Sequence, residues 1–64
     1  MSPLTLERIK KADSVRIHPI NESGLVKYTV QIMESGVWNT VLTDFNRSIC
    51  EQVVRKATSK VILG

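Results

Sequence analysis

One tripeptide occurs twice in the chain, as Glu22-Ser23-Gly24 and Glu34-Ser35-Gly36, and each copy separates runs of alternating apolar and polar side chains. Glycine supplies the positive φ that a hairpin loop needs. Ahead of the first copy, Ser14 to Ile20 sets Val15, Ile17 and Pro19 against Arg16 and His18. Between the copies, Leu25 to Met33 sets Val26, Tyr28, Val30 and Ile32 against Lys27, Thr29 and Gln31, and Val37 to Thr43 forms the third run. A period of two with β-branched content specifies strands. Two successive hairpins make a three-stranded antiparallel meander.

Register decides which side chains face the core. In the second hairpin a two-residue Ser35-Gly36 loop forces Ser35 to positive φ, whereas a three-residue Glu34-Ser35-Gly36 loop closed by the glycine avoids that strain. The three-residue loop pairs Met33 with Val37, Ile32 with Trp38, Val30 with Thr40 and Tyr28 with Leu42, so all the large side chains share one face. A four-residue first loop, Asn21 to Gly24, pairs Ile17 with Tyr28 and Val15 with Val30. Trp38 and Tyr28 are then expected beneath a helix. A slip of one residue would turn every side chain over.

Two helices flank the meander. Ser2 as cap and Pro3 at the first helical position open a short N-terminal helix, with an irregular arm as the alternative; Leu6 and Ile9 lie on one side of it. The second begins near Asn46, with Asp44 or Asn46 as cap and Ser48/Glu51 at capping-box spacing. Ile49, Cys50, Val53, Val54 and Ala57 form its apolar stripe, and Arg47, Glu51 and Arg55 stand at i,i+4 intervals for an ion-pair ladder. Residues 60–63 either end this helix or return as a short fourth strand. The expected fold is a single α+β domain over residues 1–64: a three-stranded antiparallel meander packed on one C-terminal helix, with a short N-terminal helix or arm.

Length sets the scale of what this fold can do. A chain of 64 residues buries only roughly 60% of its unfolded surface, which leaves little room for a deep substrate cavity. No apolar run approaches the ~18 residues of a membrane span, and residues 1–8 lack the apolar stretch of a signal peptide. The single cysteine, Cys50, allows no intrachain disulfide and fits a reducing, cytoplasmic setting. The net charge of +3 is divided into +2 over residues 1–20, −2 over 21–45 and +3 over 46–64. Basic ends around an acidic middle suggest a weak attraction to polyanions.

Catalytic chemistry finds no constellation. His18 is the one histidine, with no partner at ligand spacing, and no two carboxylates form an acid/base pair. No phosphate-binding glycine loop or metal-protease motif is present. Cys50 lies near a helix start, where a thiol can be activated, but on the apolar stripe, where thiols behave as small hydrophobes. The expectation is a non-enzymatic protein without cofactor or metal.

What the meander leaves facing outward is Arg16, His18, Lys27, Thr29, Gln31 and Asn39, with Val37 and Val41 toward the third strand. Cations mixed with amides and hydroxyls contact phosphates and base edges. The candidate nucleic-acid-binding set is therefore Arg16, His18, Lys27, Gln31 and Asn39, with Arg8, Lys10 and Lys11 of the N-terminal segment on phosphates. The element order is similar to that of double-stranded-RNA-binding domains, although those carry a lysine cluster where this chain has Asn46-Arg47-Ser48. The sheet backed by one helix also looks like the arm-type DNA-binding domains of phage integrases, which read DNA with the open sheet face. The alternative is a protein-interaction module or homodimer using Met33, Val37, Val41 and Val61-Ile62-Leu63, since pairing buries surface that a small monomer cannot.

Overall fold

A computed structural model describes residues 3–63. The chain runs through helix α1 (Pro3–Lys11), strands β1 (Val15–Glu22), β2 (Leu25–Glu34) and β3 (Val37–Asp44), helix α2 (Arg47–Ala57) and a two-residue strand β4 (Ile62–Leu63). The sheet order is β3-β2-β1-β4; the first three strands form the antiparallel meander, and β4 joins β1 in parallel. The expected α+β fold is present, with α2 packed on the sheet. The open question over residues 60–63 is answered by a strand that adds Ile62 opposite Val15.

Both hairpins close differently from the expectation. Each uses a two-residue Ser-Gly turn, with Glu22 opposite Leu25 and Glu34 opposite Val37. Ser23 and Ser35 sit at φ 52 and 51, and Gly24 and Gly36 at φ 80 and 79. Positive φ at both central residues is the primed turn whose twist matches that of the flanking strands. A serine in the left-handed region costs on the order of 1 kcal/mol, and the matched twist and the added ladder pair offset it.

In the first hairpin the change moves pairing by two residues, so Ile17 faces Val30 and Val15 faces Ile32 without any side chain changing sides. In the second it moves by one. Trp38 pairs with Met33, and Asn39 rather than Trp38 lies opposite Ile32. The indole therefore stands on the open face of the sheet, while Tyr28 packs on the helix side. A bulge between Gln31 and Val30 restores the alternation further along β3. It leaves Val41 as the extra residue and brings Leu42 opposite Val30, and both pack against the core.

The core consists of Ile9 and Ala12 from the α1 end, Val15, Ile17, Val30 and Ile32 from the sheet, and Cys50 and Val54 from α2. Both helices thus lie on one face. The Ser2 cap lies outside the described residues, but α1 starts at Pro3 as the proline argument requires. Asn46 caps α2 by accepting a hydrogen bond from the Ser48 amide at 2.9 Å, and Asp44 Oδ1 accepts from the Asn46 amide at 2.8 Å. Glu51 is instead engaged by Arg47 at 3.2 Å and Arg55 at 4.0 Å, the expected ladder.

A Cβ on Gly36 would meet nothing within 4 Å, so its cost is purely one of backbone conformation. Gly36→Ala is expected to lower stability by about 1 kcal/mol, and Ser35→Asn to raise it by about 0.5 kcal/mol, because asparagine tolerates the left-handed region better. Urea midpoints for the two variants check this; an unchanged midpoint for Gly36→Ala would contradict the turn assignment.

Candidate binding face of the sheet

Strand alternation sends every second residue of β1 and β2 away from the helices. The positions facing outward include Arg16 and His18 on β1, Lys27, Thr29, Gln31 and Met33 on β2, and Trp38, Thr40 and Thr43 on β3, as the register pairs them. Across the middle runs a continuous polar row. Arg16 Nε donates to Gln31 Oε1 at 2.6 Å, and Gln31 Nε2 donates to Thr40 Oγ1 at 3.2 Å. The Arg16 guanidinium carbon lies 4.2 Å from the centre of the Trp38 ring, close enough for a cation–π contact of about 0.5–1 kcal/mol at an exposed site. Thr29 is buried, and its hydroxyl donates to the His18 carbonyl at 2.7 Å.

At the other end of the face Lys27 Nζ stands 5.4 Å from the centre of the Phe45 ring and 3.8 Å from Glu22 Oε1. Phe45 is 63% exposed, although it follows directly on β3. Both cations of this face thus have an aromatic ring beside them.

Arg16, His18, Lys27 and Gln31 are brought together as expected, whereas the other four proposed contacts are not. Asn39 shares the side of Ile32 and donates to Glu34 Oε1 at 3.2 Å, because the two-residue turn turned it over. Val37 and Val41 are displaced from the open face in the same way. Arg8 belongs to the helix layer and grips Glu34 through Nη2 at 2.6 Å and Nε at 3.3 Å. Lys10 and Lys11 are exposed on the same helix, with Lys11 3.8 Å from Glu7. Trp38, Thr40, Thr43 and Phe45 are the members of the face that sequence reasoning missed. The adjacent apolar pair Val41-Leu42 was the available signal, since two neighbours that both need the core require a bulge.

Cys50 is fully buried, and its thiol is in reach of the Tyr28 carbonyl at 3.6 Å. Burial pushes the thiol pKa up and Asp44 adds to the shift, the reverse of what activates a nucleophile. Among the described residues no group of three His, Cys, Asp or Glu side chains is placed to hold a metal ion, and no helix is long and apolar enough to cross a membrane. A groove of about 530 Å³ lies at the C-terminal end of α2, lined in part by Arg55, Thr58 and Lys60. The partial negative charge of a helix C-terminus opposes an anion there. No family model, curated protein or solved structure matches the chain.

The Arg8 hydrogen bond holds the Glu34 carboxyl below its ordinary range. Its folded pKa is lower than its unfolded one, so the pair contributes stability above the unfolded value and loses it as pH falls through the folded one. Both groups are substantially exposed, so the effect is small and screened by salt. The stability difference between the native chain and Glu34→Gln is expected to be greatest near neutral pH and to vanish in strong acid. Urea midpoints across pH read it, and a difference constant from neutral to strongly acidic pH would contradict the ion-pair account.

Proposed function

We propose that the protein is a small non-enzymatic nucleic-acid-binding module of a reducing, cytoplasmic compartment, and that it binds through the open face of its sheet. The observation that carries this is the Arg16 guanidinium laid over the Trp38 ring beside Gln31 and Thr40. A stacked guanidinium presents a flat cation suited to bases and phosphates, and the neighbouring amide and hydroxyl suit base edges. Lys27 and His18 extend the same face. The contact set is therefore Arg16, His18, Lys27, Gln31, Trp38 and Thr40; Asn39 and the α1 cations Arg8, Lys10 and Lys11 are withdrawn from it.

Trp38 is the only tryptophan in the chain, so its fluorescence reports on this face alone. Titration at low salt with a mixed-sequence strand, alone and annealed to its complement, is expected to change that emission. The affinity is expected to fall roughly tenfold or more between 50 and 200 mM salt, as about two to three phosphate contacts require. Arg16→Ala should weaken binding in every case. Unchanged emission at high micromolar protein with both forms would overturn the proposal.

A second reading, self-association, is favoured by the short β4 edge, where Val61 is 80% and Leu63 46% exposed. Pairing of two copies there would bury them. Light scattering that rises from monomer to dimer mass with concentration would support it, and a constant monomer mass would remove it.

A further inference from the structure

We infer that the ligand of the open face is a single-stranded nucleic acid held at two aromatic stations, Trp38 with Arg16 and Phe45 with Lys27; this rests on the sheet-face reading above. Each station pairs a ring with a cation on the same side of the sheet, at 4.2 Å for Arg16 and 5.4 Å for Lys27. Base stacking on aromatic rings and guanidinium planes needs a base whose π-face is exposed, and in a duplex those faces are covered by neighbouring pairs. The cation beside each ring supplies the complement to the phosphate that accompanies each base. Between the stations lies the floor of His18, Thr29, Gln31, Thr40 and Thr43, which is polar and carries no carboxylate. Glu22, the acidic group near Lys27, lies at the turn end of β1.

The spacing fits one strand bridging both stations. Residues 38 to 45 of an extended chain span roughly 20 Å. A nucleic-acid strand covers that with roughly six nucleotides at ~3.4 Å each when stacked, and with fewer when extended. A strand long enough to reach both stations gains from the second contact as an intramolecular event, whereas a trinucleotide does not. The two rings differ usefully for a test. Phe45 is 63% exposed, so its removal leaves the core untouched.

The experiment measures anisotropy of end-labelled mixed-sequence oligonucleotides at one low salt concentration: a ten-nucleotide DNA strand, the RNA of the same sequence, the DNA strand annealed to its complement, and a trinucleotide. The single strands are expected to bind at least about tenfold more tightly than the duplex, and the ten-mer more tightly than the trinucleotide by a similar factor. Phe45→Ala, with its circular dichroism melt unchanged, is expected to weaken the ten-mer roughly five- to a hundredfold, the range for losing one stacked base. Preference for either DNA or RNA supports the inference and names the sugar. A duplex bound as tightly as the strands would overturn it while leaving the sheet-face function standing. Ten-mer affinity indifferent to Phe45→Ala would overturn the two-station arrangement. Failure of every oligonucleotide to bind would overturn both this inference and the proposed function.

Discussion

The alignment of β2 and β3 depends on a backbone choice at Ser35 and Gly36. With both residues at positive φ, the reversal takes two residues and its twist carries into the strands on either side. A turn of that length leaves Glu34 opposite Val37, so the next pair, Met33 with Trp38, falls on the side away from the helices. The strand would then expose Leu42 as well, were it not for the extra residue at Val41. The bulge shifts the alternation by one residue, so Trp38 and Thr40 before it face outward while Val41 and Leu42 at and after it pack against the core. Turn and bulge act as a pair: the turn places the indole outside, and the bulge preserves the packing that the turn alone would lose.

The strands, both helices and most of the core could be read from the amino acids because their signals are local. Alternation over residues 14–20 and 25–33 identified β1 and β2, and the apolar stripe from Ile49 to Ala57 identified α2 together with its Asn46 cap. Register could not be read as reliably. It turned on a difference of on the order of 1 kcal/mol in backbone strain, weighed against a supposed advantage of gathering all bulky side chains on one face. The supposition failed because Arg16 covers the ring of Trp38, so an aromatic residue on the open face is not stranded in water. The same error misplaced Asn39. Arg8, Lys10 and Lys11 stand apart from that face for another reason: the sequence shows that they are basic, but only packing shows which layer α1 joins.

Charge is arranged differently in the two layers. On the helix side, carboxylates answer most of the cations: Glu34 takes Arg8, Glu7 lies near Lys11, and Glu51 takes Arg47 and Arg55. On the open side Arg16 and Lys27 rest against rings, and among the described residues only Lys27 also has an acidic neighbour. A guanidinium held by an arene and an amide keeps its full charge and gives up little hydration. The net positive charge of the chain is modest, and on the open face it is displayed beside aromatic side chains.

Lys60 links the beginning and the end of the chain. Its ammonium donates to the carbonyl of Lys10 at 3.2 Å and to that of Ala12, where α1 has run out of amides to satisfy them. From there the backbone enters β4 and lies along β1. The two hairpins need only neighbouring segments to meet, but this clasp joins residues 48 and 50 positions apart. Long-range closures carry the largest entropic toll on the route to the native state. The clasp thus ties the segment that follows α2 to the C-terminal end of α1, on the edge of the sheet where β4 joins β1.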